Sequence, residues 1–301
     1  YKPAHFLIPS KEFCGEITLL RINLPNPVTK YPKIFLMKKD FIKQKLPNYK
    51  LNIHKYDKGH VFVVGGKMSG ASRLVAYAAR KVGCGLSTIL VEKGLFGYYS
   101  GVEPGTIVEK SNYDLKNKKI DAFVLGPGLG KNFSKIKIIN LINSISCPLV
   151  IDADALNIFE NSTKEFYDIL RKKKNVIITP HEGEFKRIFK FKSEDKISDC
   201  IKASKLIFNT VILKGSDTII AMPNGKVWIN HNARNSLATA GSGDLLCGIV
   251  SSLLAQKMST VNASIVSVLI HSLLSEYKNC TTVEDFLKKI PQAFRKLKNI
   301  N

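Results

Sequence analysis

The sequence predicts an α/β protein, a three-layer αβα sandwich with a mostly parallel central sheet. Three observations lead there. From Lys58 onward, short continuous apolar runs of strand length recur. Stretches of helical spacing lie between them, and such alternation requires crossovers that cover both faces of a parallel sheet. The glycine-rich and acidic motifs follow directly on the apolar runs, and ligands of such sheets bind beyond the carboxyl ends of the strands.

Taken in order, the run 61–64 is a strand closed by Gly65 and Gly66, and 71–82 is a helix. Residues 86–91, 122–125, 148–151, 176–179 and 211–213 are further buried strands, with helices expected over 134–145, 163–173 and 182–208. Two shorter strands, 218–221 and 227–230, flank Pro223, Asn224 and Gly225 and read as a hairpin. Helices over 242–256, 260–278 and 282–298 close the chain. Ahead of this unit, residues 1–25 hold two short apolar segments and end at Pro25-Asn26-Pro27. Residues 26–50 are rich in Pro and Lys, with a weak helical stretch at 38–45, and have the composition of a linker. The expected division is thus 1–25, a linker over 26–50, and one domain over 51–301.

Composition narrows the function classes. At 45% hydrophobic and 23% charged, the 301 residues can bury a sizeable core. The longest apolar stretches, 245–255 and 263–274, are interrupted and shorter than the roughly 20 residues a membrane span needs, so no membrane partner is expected. Six cysteines are scattered without a CxxC pair, which points to a reducing, cytoplasmic setting. The net charge of +22 comes mostly from Lys spread along the chain among Ile and Asn. That spread argues against nucleic acid as a partner and suits an anionic small substrate. The chain opens on Tyr1 without a signal pattern and reads as a fragment or a processed product.

Five motifs carry chemistry. In LATAGSGDLL (237–246), Gly241, Ser242 and Gly243 would present amides at a helix N-terminus, an anion hole for a phosphoryl group. Asp244 in the first turn could accept a proton from an attacking hydroxyl. A plain helix cap explains the same residues. In LKGSDT (213–218), Lys214 could neutralise phosphate, while Gly215, Ser216, Asp217 and Thr218 offer amides and a hydroxyl; an ordinary turn is the alternative. GPGLG (126–130) is a shaped loop without a P-loop ending. In DADALN (152–157), Asp152 and Asp154 could place Mg²⁺ through water, or Asp154 could simply cap a helix. TPHEGEF (179–185) sets His181 and Glu184 in a loop after a strand.

Together with HKYDKGHVFVVGG (54–66) and GAS (70–72), and in this order, these segments resemble the NAD(P)H-hydrate dehydratases over about residues 50–275. The resemblance implies a ribokinase-like fold and a hydro-lyase that uses ADP or ATP, with Mg²⁺, to restore hydrated NADH or NADPH. It places Ala71, Gly128, Gly130, His181 and Asp244 at the hydrated nucleotide. Lys214 to Thr218 and Gly241 to Gly243 fall on the nucleotide donor, and Asp244 is the general base. His181 in the TPHxGE form favours ADP. The family further implies a homo-oligomer, a tetramer. Residues 2–25 resemble the last strands of the NAD(P)H-hydrate epimerase domain, a remnant from which no epimerase activity is expected. Two departures stand out: the glycine loop 65–70 is shorter than the family's, and Cys84 stands where the family carries Ala. The rival readings are a ribokinase-like kinase of a vitamin precursor and a regulatory or RNA-binding protein with a decayed site.

Overall fold

A computed structural model describes residues 2–20, 33–39, 45–47, 52–116, 118–193 and 195–298. Its sheet has ten strands: β1 (Ile34–Leu36), β2 (His60–Gly65), β3 (Leu86–Val91), β4 (Ile107–Lys110), β5 (Ala122–Leu125), β6 (Leu149–Ile151), β7 (Val176–Ile178), β8 (Thr210–Leu213), β9 (Ile219–Ala221) and β10 (Val227–Ile229). They lie in the order β1-β10-β9-β8-β7-β6-β5-β2-β3-β4. All neighbouring pairs are parallel except β8–β9 and β9–β10, so β9 alone is reversed. The expected hairpin is β9–β10, closed by the Gly225 N–H donating to the Met222 carbonyl at 2.9 Å.

The strands of the sheet centre are apolar on both sides because both faces are covered. Val61 and Val63 belong to one core, and Phe62 and Val64 to the other. The first core is shared with α1 (Ser69–Val82), α7 (Ser242–Ala255), α8 (Thr260–Leu274) and α9 (Val283–Lys298). The second is shared with α2 (Lys135–Ser144), α3 (Asp154–Asn157), α4 (Thr163–Arg171), α5 (Glu182–Phe189) and α6 (Lys196–Ile207). Full burial of a side chain such as Phe123 is worth roughly 1.5–3 kcal/mol. Cys84 packs in the first core, and its N–H donates to Ser252 Oγ of α7 at 3.1 Å. Among the described residues no helix is long and apolar enough to cross a membrane.

Four features depart from the sequence expectations. The helix expected over 182–208 is two helices. Lys190 turns left-handed at φ +52°, and Asp195 caps α6 by accepting from the Ile197 and Ser198 N–H groups at 3.0 and 3.1 Å. A capping aspartate inside a helical pattern restarts the helix. Strand β4 gave no sequence signal because, at the sheet edge, its residues are exposed or half-buried. Residues 34–36, inside the expected linker, pair with β10 as an edge strand. Residues 2–20, likened to terminal strands, form 3-10 turns at Pro3–Phe6 and Ser10–Phe13 and no strand. The Pro25-Asn26-Pro27 stretch and residues 40–44 of the weak helix lie outside the described residues.

Candidate active site

The parallel strands deliver their C-terminal loops to one end of the sheet, and there the motif residues meet. β6 is followed by Asp152, which is 1% exposed. β8 is followed by Lys214, whose Nζ donates to both Asp152 carboxylate oxygens at 2.7 and 3.0 Å. Cys247 of α7 donates its thiol hydrogen to Asp152 Oδ2 at 3.1 Å, and Thr179 stands 3.6 Å behind that sulfur. β7 leads through Pro180 to His181, which pairs with Lys214 in an isolated parallel bridge. The Asp152 charge holds the Lys214 ammonium well above the ordinary lysine range, against the desolvation that pulls it down.

The N-terminus of α7 faces the same point. A Cβ built on Gly243 would sit 3.3 Å from Lys214 Nζ and 3.8 Å from Asp152 Oδ2. Any side chain there would crowd the lysine, so glycine leaves the helix amides open to a ligand. His271 of α8 fixes this end: its Nε2 lies 3.0 Å from both the Ser242 carbonyl and Ser242 Oγ. Burial lowers His271 to about 4, so it is neutral at physiological pH.

Asp244 occupies the first turn of α7. Burial raises its carboxyl to about 7; the nearby Asp152 charge adds to this, Lys214 offsets part of it, and Asp154 adds a smaller push. A carboxyl tuned to neutrality is poised to accept a proton. Burial likewise raises Glu184, with Asp152 adding to the effect, although Glu184 accepts the His181 N–H at 2.9 Å. His181 is thereby the cap of α5, its Nδ1 accepting from Gly183 and Glu184.

A cavity of about 440 Å³ opens over this group. Lys214, Gly215, Ser216 and Thr218 form one wall, and His181, Ser242 and Gly243 another. Asn230, Arg234, Asn235, His271 and Ser272 complete the polar lining, and Leu237, Leu246 and Val268 add apolar surface. Asn230, Arg234 and His271 were not expected from sequence: they belong to no glycine or acidic motif, and only their proximity in space marks them. A second cavity, about 470 Å³, is lined by Gly130, Lys131, Asp154 and Asn157. Asp244 lines neither cavity, but the charges of Lys214, at the first, and Asp154, at the second, act on its carboxyl.

Several expected site residues lie off the first cavity. Asp217 does not line the cavity: its carboxylate is turned outward, accepting from the Ile8 N–H at 3.0 Å and pairing with Lys196 at 3.2 Å. Gly241 is the left-handed N-cap at φ +83°, pressed against Leu74 and Val283 rather than on the cavity. Gly128 and Ala71 are packed on each other, since a Cβ on Gly128 would lie 3.0 Å from that of Ala71 and 2.3 Å from the Met68 carbonyl. They therefore join the GPGLG loop to the start of α1. His181 lies on the cavity walled by Lys214.

Among the described residues no group of three or more His, Cys, Asp or Glu is gathered for a metal. Asp152 is already committed to Lys214 and Cys247, and Asp154 Oδ2 accepts the Gly130 N–H at 2.8 Å. Among the described residues no donor bonds Asp154 Oδ1, and Mg²⁺ commonly uses one or two carboxylates together with substrate phosphates and water. The donor set fits such a shared ion rather than a site made of protein alone.

A family model described as NAD(P)H-hydrate dehydratase matches residues 61–290. The ADP-dependent (S)-NAD(P)H-hydrate dehydratase of Neisseria meningitidis serogroup B is 34% identical over 233 residues, covering 74% of this chain and 78% of that protein. The bifunctional NAD(P)H-hydrate repair enzyme Nnr of Synechocystis is 31% identical over 278 residues, 85% of this chain and 52% of the relative. The chain spans about half the length of the bifunctional relatives it matches. Among solved structures, a ribokinase-like superfamily protein from Enterococcus faecalis V583 superimposes with a TM-score of 0.77 at 22% identity, covering 92% of this chain and 99% of that one. The ADP/ATP-dependent NAD(P)H-hydrate dehydratase of Bacillus subtilis, co-crystallized with ATP/Mg²⁺, gives 0.73 at 22% identity, covering 86% and 97%. The fold is therefore ribokinase-like.

Proposed function

The chain belongs to the NAD(P)H-hydrate dehydratase family, and we propose that it uses ADP to dehydrate the S form of hydrated NADH or NADPH to the working cofactor, releasing AMP and phosphate. One observation carries the reading. A carboxyl tuned to about 7, Asp244, stands in the first turn of a helix whose N-terminal amides face a cavity holding a lysine.

ADP would lie in the cavity walled by Lys214, Gly215, Ser216 and Thr218, with its terminal phosphoryl at the Gly243 amide. The hydrate would approach from the side of Gly130 and Asp154. Asp244 takes the proton of the C6 hydroxyl as its oxygen bonds to the terminal phosphorus of ADP and the bridging P–O bond breaks, releasing AMP. The helix amides and Lys214 neutralise the charge on the transferring group. Phosphate then leaves from C6 far more readily than hydroxide, and loss of the C5 proton restores the dihydronicotinamide. Asp154, and Asp152 through water, would hold a Mg²⁺ shared with the nucleotide phosphates, and such an ion would supply further charge neutralisation.

The same reading brings a cytoplasmic setting and a homo-oligomer, a tetramer by family resemblance. It also relates residues 1–25 to an epimerase domain, while 34–36 belong to the dehydratase sheet. The deciding experiment incubates the protein with NADH hydrate, Mg²⁺ and either ADP or ATP and follows the dihydronicotinamide absorbance. Recovery with ADP, faster than with ATP, is expected. Formation of a stable phosphorylated product with no recovery would replace this reading by the small-molecule kinase.

A further inference from the structure

The N-terminal segment crosses the outer side of the nucleotide cavity's wall. Phe6 is 8% exposed, and its ring meets the imidazole of His231 edge-on, with centroids 5.0 Å apart. The Lys11 ammonium donates to the His231 carbonyl. The Ile8 N–H donates to Asp217 Oδ2 at 3.0 Å, and Asp217, 4% exposed, is held from its other side by Lys196 at 3.2 and 3.3 Å. Lys196 also reaches Glu182, the residue after His181, at 2.6 Å. Three residues of one short segment thus touch two different loops, 215–218 and 230–234, and both loops line the cavity on their inner side. The loops are joined to each other by the Asn230 N–H donating to the Thr218 carbonyl at 2.9 Å.

We propose that residues 6–11 are an external buttress that positions both nucleotide loops, with Asp217 as its anchor, and that this bracing sets the affinity for the nucleoside diphosphate. Asp217 is then a positioning residue: it lies within the LKGSDT motif, yet its carboxylate serves the outside of the wall. From within, loop 215–218 is closed mainly by Thr218, whose hydroxyl donates to the Gly215 carbonyl at 2.7 Å and lies 3.3 Å from the Gly215 N–H. A loop with so few internal bonds must be ordered when ligand binds, unless something orders it beforehand. A buried carboxylate shared between a backbone N–H and an ammonium supplies that order.

The identity of the ligand rests on the proposed function; the bracing does not. The test therefore has two arms, applied to the full chain with Phe6→Ala, Asp217→Ala and the milder Lys11→Met. The first arm measures amide hydrogen exchange of 215–218 and 231–234 without nucleotide, and faster exchange in both loops is expected. The second measures ADP affinity by calorimetry alongside kcat and the KM of each substrate. The ADP Kd and KM should rise about tenfold, equivalent to about 1.4 kcal/mol, with kcat and the hydrate KM little changed. Unchanged exchange overturns the buttress. Faster exchange with an unchanged ADP Kd overturns its role in affinity, even if Tm falls. Faster exchange in a protein whose wild type binds no ADP keeps the bracing and removes ADP as the ligand. Should Phe6→Ala fail to fold, Lys11→Met carries both arms.

Discussion

The ammonium of Lys214 lies 2.7 and 3.0 Å from the two carboxylate oxygens of Asp152, a residue 62 positions earlier in the chain. This ion pair joins the ends of two strands that are not neighbours, since β7 runs between β6 and β8. It also determines what Asp152 can do. A carboxylate engaged by an ammonium and a thiol is a holder of Lys214 first, and any share in Mg²⁺ binding comes through water.

Breaking that pair should be costly. Lys214→Met leaves the buried Asp152 carboxylate without its counter-charge, an expected loss of about 3–5 kcal/mol. The double variant Lys214→Met/Asp152→Leu should recover most of it, because neither charge of the pair then remains buried. Urea denaturation of the two variants and wild type checks this; equal losses in single and double variants would contradict it.

Asp244→Asn should separate activity from stability. Loss of the base is expected to lower kcat by about 10²–10⁴-fold with ADP affinity retained. In the wild type, kcat/KM should climb with pH and level off above about 7, where the carboxyl is ionised. The raised value means that the folded chain holds this proton more tightly than the unfolded chain. Stability is therefore lost as pH rises from the ordinary aspartate range to about 7. Asparagine removes that loss, so Asp244→Asn should melt above wild type at pH 8 and close to it at pH 4.

Two glycine substitutions should differ in kind. Gly243→Ala places a methyl 3.3 Å from Lys214 Nζ, the movable end of a long side chain; the expected effect is a weaker ADP interaction with little change in Tm. Gly128→Ala meets the Met68 carbonyl at 2.3 Å with a backbone at φ +72°. Backbone cannot yield cheaply, and a loss of about 1–3 kcal/mol is expected. Melting curves and ADP titrations on both variants make the comparison.

Acid should destabilise the fold partly through His271. Burial lowers this imidazole to about 4, so the unfolded chain takes up the proton first as pH falls. Its contribution is complete above the ordinary histidine range and is lost as pH drops toward about 4. His60, also lowered to about 4 by burial, acts in the same direction. His271→Gln should therefore lose less stability than wild type between pH 6.5 and pH 4. Parallel pH–melting curves for the two proteins would contradict this assignment.

The sequence by itself determined most of the alternation of strands and helices from residue 60 onward, though not β4 or the break between α5 and α6, together with the hairpin at Gly225 and five motifs, Asp244 and Lys214 among them, expected to converge. These were legible because burial imposes a local period and glycine loops mark where strands end. Tertiary structure alone decided the rest. It paired Asp152 with Lys214, turned Asp217 outward to Ile8 and Lys196, and brought Asn230, Arg234 and His271 to the cavity. It also drew 34–36 into the sheet against β10. A side chain's partner depends on packing between segments distant in the chain. No local pattern encodes that choice, so a motif can name a loop without saying which way each residue of it points.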